Sequence, residues 1–550
     1  MDGERSTLIA DLNRDLQTLQ TGAKDWVSLP IRRKIEILAA CRSSSSRNAA
    51  SWIRLAARSK GIAESPLAGE EALTGPWAVL AVLNRYAATL AEIEHSGAPR
   101  LAERRVRARA DGQIVVEVFP EGFYDRLLQF GLRAEVWMQP GVTRATLRET
   151  MGTWYRRKAN APRIALVLGA GNIASIGLLD VLYKLIAQGA VCILKVHPLL
   201  EPLGPIFEAS FAPLVDGGFL RFAYGGADVG RYLCGHPAID EIHVTGSKLT
   251  YDAIAATNES GKPITSELGN VSPAIVVPGR WSDAELRFHA EQLATAKLHN
   301  AGFNCVALQT LVLPARWDRR EALLAHLRHL FERAQDRPAY YPGAAERYRA
   351  LVAGRRLSSH GTDAPGFLPR ALVAADAADA TEALFRTEAF SSLLTVVTLP
   401  NDDVKSYLEN AVAFCNDRLW GDLAVNLIVD GATAATHRDA VDAAIAGLRY
   451  GCIGVNVWSA VGFLLPAIPW GGYAPRRGAD VGSGIGVVHN SRLFEKSQKS
   501  VLYSPFLPAI KPPWFLTRRN QAKISMALCE FESARSPAAM AKVARVTLAG

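Results

Sequence analysis

The sequence predicts an α/β protein, and three observations carry that prediction. From residue 163 onward, apolar runs alternate with turns and helical patterns. Residues 164–168 (Ile-Ala-Leu-Val-Leu) read as a buried strand, 169–172 as a turn, 176–187 as a helix and 191–195 as the next strand. Residues 241–245 and 274–277 continue the series. A second stretch, from about 281 to 470, repeats the alternation, with helices at 283–296 and 320–333 and strands near 311–313, 393–398 and 424–429. Such alternation builds a parallel sheet covered by helices.

The flanks read differently. Residues 1–110 are helical in pattern: Trp26, Leu29, Ile31, Ile35, Leu38 and Ala39 fit an amphipathic helix with its lead-in turn. Residues 113–120 and 134–138 read as two strands joined by a connection of moderate length. After residue 500 the chain is apolar but broken by Pro505, Pro508, Pro512 and Pro513.

Composition narrows the class. At roughly 100–200 residues per domain, 550 residues hold several cores. Hydrophobic residues at 49% and charged residues at 21% exclude a disordered chain. The 62 Lys and Arg exceed the 53 Asp and Glu by nine. Basic steps such as Arg104–Arg105 and Arg518–Arg519 are short and scattered, so a solvated basic surface is expected and no nucleic-acid footprint. Seven cysteines, with no C-x-x-C spacing, support neither a zinc site nor a disulfide framework; the expectation is no metal and a reduced, cytoplasmic compartment. The N-terminus has no secretory pattern, and the longest uncharged stretch, 164–179, is too short and polar to span a bilayer.

Three motifs carry chemistry. Gly169-x-Gly171-x-x-Ala174, between a strand and a helix, is close to the Rossmann dinucleotide fingerprint, although Lys195 stands where an acidic ribose ligand is expected. Taken alone it reads equally as a tight turn. Cys305, in Asn300-Ala-Gly-Phe-Asn-Cys-Val306, offers a thiol after a small-residue turn. A lone cysteine beside apolar residues is more often inert core; as a thiolate it is a strong nucleophile. Glu267, before Leu268-Gly269, reads as a loop cap in isolation and as a general base otherwise.

Together these fall into a recognisable order. Asn172 and Lys195, Thr245-Gly246-Ser247, Glu267-Leu-Gly269, Gly302-Phe-Asn-Cys305, Glu388-Ala-Phe390, Asn416-Asp417 with Trp420-Gly421, and residues 469–472 (Pro-Trp-Gly-Gly) follow one another as landmarks of the aldehyde dehydrogenase superfamily do. The chain resembles a divergent member of that superfamily from about residue 20 to 490. The resemblance implies a Rossmann-type cofactor domain (residues 1–112 and 141–277) and an α/β catalytic domain (278–470). It also implies a small β bridging or oligomerisation element (113–140 and 485–503) that extends a partner's sheet, followed by a C-terminal extension (504–550). A homodimer or homotetramer is therefore expected.

The resemblance also implies roles. Cys305 is the nucleophile on an aldehyde substrate, Asn172 the oxyanion donor and Glu267 the base that activates water. Lys195 and Glu388 bind ribose hydroxyls, Thr245, Gly246 and Ser247 the pyrophosphate, and Phe390 packs by the nicotinamide of NAD or NADP. Departures from the family pattern matter. Ala170-Gly-Asn-Ile173 replaces Pro-Trp-Asn-Phe and resembles fatty acyl-CoA reductases of the superfamily, and Thr250 replaces a glycine. Pro198 stands where NAD-preferring members often carry Glu, which admits NADP, with His197 nearby. Three readings stay open: hydrolytic aldehyde oxidation, acyl-CoA or acyl-thioester reduction, and a catalytically silent binding member. For residues 504–550 the open placements are over a tunnel mouth, against lipid, or packed on the surface, the last being expected.

Overall fold

The computed structural model describes residues 2–128, 131–476 and 480–549. Its N-terminal layer begins with two helices, Asp2–Ser28 and Ile31–Ser59, where the periodicity suggested one with a lead-in turn. Pro30 separates them, because proline has no N–H for a helix interior and is tolerated only at a helix start. Ala68–Ala72 and Ala78–Ser96 follow, joined by one wide turn over Leu73–Trp77.

Strands are numbered in chain order. β1 (Val106–Ala108), β2 (Ile114–Phe119) and β3 (Arg133–Met138) form an antiparallel ladder. β4 (Ile164–Leu168), β5 (Val191–Lys195), β6 (Leu220–Ala223), β7 (Glu241–Gly246) and β8 (Ile264–Leu268) form a parallel sheet in the order β8-β7-β4-β5-β6. β4 and β5 are apolar almost throughout, as strands covered on both faces must be. The helix Ile176–Ala187 covers one face. The N-terminal helices pack into the same core, where Trp26 Nε1 donates to the Leu185 carbonyl at 3.1 Å.

The remaining strands are β9 (Pro273–Val276), β10 (Thr310–Pro314), β11 (Leu357–His360), β12 (Arg370–Ala374), β13 (Leu393–Leu399), β14 (Ala424–Ile428), β15 (Cys452–Val455), β16 (Pro469–Trp470), β17 (Gly484–Ile485), β18 (Val488–His489) and β19 (Ser497–Tyr503). β9 does not continue the first series, as its sequence suggested; it pairs with β10 and β14. The chain changes sheets between Leu268 and Pro273. There the buried Asn270 donates to the Ala424 carbonyl at 3.0 Å and accepts from Ser272 Oγ at 2.7 Å. Residues 271–277, expected in the cofactor sheet, thus lie beyond the crossing.

The large sheet runs β1-β2-β3-β19-β15-β14-β9-β10-β13-β12-β11. β19 is its joint: parallel to β15 and antiparallel to β3, from Ser497 opposite Met138 to Tyr503 opposite Arg133. Within this chain the strands of the expected bridging element join the large sheet, β3 by pairing with β19. Lys499 helps to fix β19, its buried ammonium donating to the carbonyls of Ile445, Ala446 and Leu448 at 2.8, 2.8 and 3.0 Å. These are orphan acceptors at the end of the helix Arg438–Gly447. β17, at the start of the late segment 485–503, instead joins the six-stranded sheet beside β8.

Beyond β19, an irregular run leads to two helices, Gln521–Ala534 and Pro537–Leu548. Among the described residues, no helix is long and apolar enough to cross a membrane.

Candidate active site

The helix Asp283–Leu298 delivers the chain to the Cys305 turn through a run of unusual backbone. Asn300, Ala301 and Gly302 have φ of 52°, 56° and 81°, three successive residues in the left-handed region. Each non-glycine there costs about 1–2 kcal/mol, so the surroundings must hold the turn. The Asn300 N–H donates to Glu70 Oε2 at 3.0 Å, and Arg337 fixes that carboxylate at 2.8 Å. Asn300 Nδ2 donates to the carbonyls of Asn172 and Phe303 at 3.0 and 2.8 Å, and the Tyr340 hydroxyl lies 3.0 Å from Asn300 Oδ1. Only glycine fits at 302, because a Cβ would collide with the Ser391 carbonyl.

Asn172 is clamped to the same turn. Its side-chain amide donates to the Phe303 carbonyl at 3.2 Å, and its own carbonyl accepts from Lys60 Nζ at 2.9 Å. Lys60 is held by Glu71 at 2.7 Å in an ion pair about 97% buried on each side. This brings the amide of Asn172 beside the Cys305 segment, 133 residues away in the chain.

Cys305 Sγ lies 3.5 Å from Glu267 Oε1 at the end of β8. Burial raises the Glu267 carboxyl to about 7, with the nearby Asp180 charge adding to the shift, while Trp470 and the thiol pull it down. Burial likewise raises Glu388 to about 8, against the pull of Arg347 and Lys297. The thiol of Cys305 is pushed well above its ordinary value by burial, then by Glu267 and Glu388. The resting sulfur is a thiol whose proton faces a carboxyl that titrates near neutrality.

A cavity of about 430 Å³ opens at this point, lined by Asn172, Thr245, Gly246, Ser247, Glu267, Cys305, Glu388 and Phe390. Of the residues expected from sequence, it gathers all but Lys195, which lies buried at the end of β5 outside the lining. Gly269 also lines it and must lack a side chain, since a Cβ would strike the Glu388 carboxylate. Ser247 caps the helix Lys248–Ala256, accepting from the Thr250 N–H at 3.2 Å, so the N-terminus of that helix faces the cavity. A helix start with free N–H groups favours anions. Thr245 Oγ1 donates to Asp180 at 2.9 Å. Phe390, at φ 43°, stands against Tyr341 with ring centroids 4.9 Å apart.

The Gly169–Ala174 motif takes a different part. Neither glycine lines the cavity; the His197 ring packs where a Cβ on Gly171 would sit. His197 in turn accepts from the Leu199 N–H at 3.2 Å and stacks on Tyr341. Glycine here permits a side chain, not a phosphate, to approach the backbone.

Several participants gave no sequence signal. Lys60, Glu70, Arg337 and Tyr340 act through contacts more than 100 residues away, and Glu71 acts through Lys60. Asp180 sits on the helix Ile176–Ala187 amid apolar residues, facing His243 at 3.5 Å and Thr245. A charged residue inside so apolar a helix was the available hint.

The aldehyde dehydrogenase family model matches residues 181–475. A mitochondrial methylmalonate-semialdehyde/malonate-semialdehyde dehydrogenase [acylating] of Mus musculus is 25% identical over 277 residues, 46% of this chain. The human protein of that name matches equally, and the chain spans 47% of the length of these curated relatives. Among solved structures, Mycobacterium tuberculosis aldehyde dehydrogenase complexed with NAD+ aligns with a TM-score of 0.63 at 18% identity, covering 91% of this chain and 90% of that one. An NADP dependent enzyme of E. coli aligns with a TM-score of 0.62 at 16% identity, covering 90% of each chain. With the family match spanning more than half of its residues, the chain belongs to the aldehyde dehydrogenase family.

Proposed function

We propose that the protein oxidises an aldehyde to its carboxylic acid with NAD+ or NADP+. The observation that carries this is the Cys305 thiol 3.5 Å from the Glu267 carboxyl, with the Asn172 amide held to the same turn, at a cavity fit for a dinucleotide. The fit rests on the start of the helix Lys248–Ala256, which suits a pyrophosphate, and on Glu388 Oε1, a buried acceptor without a protein partner that suits a ribose hydroxyl. Thr245, Gly246, Ser247, Glu388 and Phe390 would hold the cofactor, with Lys195 from β5 of the same sheet. Bound there, the nicotinamide serves as hydride acceptor.

The chain's own groups do the rest. Glu267 takes the thiol proton as sulfur attacks the carbonyl carbon, and the oxyanion of the thiohemiacetal is stabilised by Asn172 and the Cys305 N–H. Loss of hydride from that carbon leaves a thioester on Cys305. Glu267, having passed on its first proton, takes another from water; hydroxide displaces the thiolate, and acid is released. A second reading, transfer of the acyl group to coenzyme A, has the mammalian relatives' acylating name in its favour. Incubation with aldehydes and NAD+ or NADP+, with and without coenzyme A, decides: acid formed without coenzyme A is the expected product, and strict dependence on coenzyme A sinks the hydrolytic step. A homodimer is proposed on exposed Phe123 (73%) and Leu127 (54%) beside the bridging strands; sedimentation showing a monomer at micromolar concentration would sink it.

A further inference from the structure

A second cavity also meets Cys305, sharing only Ile176 and Cys305 with the first. It is narrow, about 40 Å³ against about 430 Å³ for the first. Its walls are aliphatic and aromatic: Ile173, Ile176 and Val461 with Phe463, Trp458 and Trp470. Two of its polar groups are committed, whereas His299 Nδ1 has no hydrogen-bond partner among the described residues. Thr74 Oγ1 donates to the Glu70 carbonyl at 2.8 Å, and Trp458 Nε1 to the Val306 carbonyl at 3.0 Å. Burial pushes His299 below its ordinary value, so the ring is uncharged at neutral pH. The nearby cations Lys60 and Arg337 are each bound to a buried carboxylate, Glu71 and Glu70.

One wall comes from an unexpected place: Trp514, on the C-terminal extension. The segment after β19 runs along the helix Asp283–Leu298. Phe506 packs on His289 with centroids 4.2 Å apart, Lys511 pairs with Glu291 at 2.7 Å, and the Leu516 N–H donates to Thr295 Oγ1 at 3.1 Å. The chain then crosses to the N-terminal helices, where the helix Gln521–Ala534 lies so close to Ala68–Ala72 that a Cβ on Gly69 would meet the Ala522 nitrogen at 2.8 Å. Trp514 sits in the crossing and packs against both main cores. Anchored on either side, it is a fixed wall.

We propose that Trp514 closes the acyl side of the active site and sets its substrate class: uncharged aldehydes with a short apolar chain. This rests on the aldehyde-oxidising reading. So narrow a cavity admits only a short chain beyond sulfur's reach, and no wall residue offers a cation to a second carboxylate. The substrates in the mammalian relatives' names carry such a carboxylate, so specificity differs from theirs.

Two measurements on the full chain test it. The first compares kcat/KM for propanal, hexanal and succinic semialdehyde. Propanal is expected to lead each of the others by about tenfold or more, and Trp514→Ala to raise the hexanal-to-propanal ratio by about tenfold. Equal use of the semialdehyde, or an unmoved ratio, overturns the assignment. The second needs no turnover: alkylation of Cys305 by N-hexylmaleimide relative to N-ethylmaleimide, read by mass spectrometry. Trp514→Ala is expected to raise that ratio about tenfold and Trp514→Phe part of the way; no change in either folded variant overturns the wall. A moved alkylation ratio with no aldehyde oxidised would leave the wall standing and fail the proposed reaction.

Discussion

In the proposed mechanism, Glu267 and Asp180 set the working pH. With its carboxyl raised to about 7, Glu267 is a base only above neutrality, so kcat/KM should climb about tenfold per pH unit below 7 and level off above it. Asp180→Asn removes the charge that helps to raise Glu267, and the midpoint should move to lower pH; an unmoved midpoint would assign the limb to another group. The titratable groups facing Asp180 are Glu267, His243 and His489, with the Tyr86 hydroxyl and Cys192 thiol beside them, and all remain in that variant. The buried acids also affect stability. Glu267 and Glu388 keep their protons in the folded chain to about pH 7 and 8, whereas the ordinary value is 4.5. The folded state therefore binds more protons in that window, and stability falls as pH rises through it. Glu388→Gln should raise the melting temperature at pH 9 and leave it unchanged at pH 4, measured by circular dichroism. Cys305, Glu267 and Asn172 were legible because each sits in a local pattern of three or four residues. Asp180 was not, because its partners come from other elements.

At the scale of elements, the left-handed run before Cys305 is supported by groups from several parts of the chain. Gly302→Ala should destabilise by about 1–3 kcal/mol, since it adds strain at φ 81° and a clash with Ser391. Lys60→Met leaves Glu71 buried without its cation and removes one of the donors to the Asn172 carbonyl; a loss of about 3–5 kcal/mol is expected. Urea unfolding checks both. Most strands and crossover helices could be read from sequence, because apolar runs bounded by glycine and proline fix local conformation. Sheet membership could not: β9 has the same apolar pattern as β4, and contacts far along the chain hold it in the other sheet, among them Asn270 Nδ2 to the Ala424 carbonyl and the Val271 N–H to the Trp420 carbonyl. The helix Gln521–Ala534 also escaped, because it buries Gln521, Ser525 and Glu532 along with its apolar residues, which blurs the periodicity.

Across the whole molecule, the two sheets and the C-terminal extension converge on Cys305. Glu267 comes from the six-stranded sheet, the thiol from the turn after the helix Asp283–Leu298, and Trp514 from the tail. A chain ending at residue 503 loses the layer that covers both cores, and it should bind hydrophobic dyes and resist proteolysis less than the full chain. The tail's place was hidden in the sequence because its prolines suppress any pattern, while its partners lie some 220 to 450 residues earlier in the chain. The central claim, that Cys305 carries the acyl group and Glu267 releases it, is tested most directly by mass spectrometry of Glu267→Gln incubated with propanal and NAD+ or NADP+. The predicted result is a propionyl thioester accumulating on the peptide that contains Cys305. Its absence in a folded variant that still binds cofactor, or undiminished turnover by Cys305→Ala, would contradict the account.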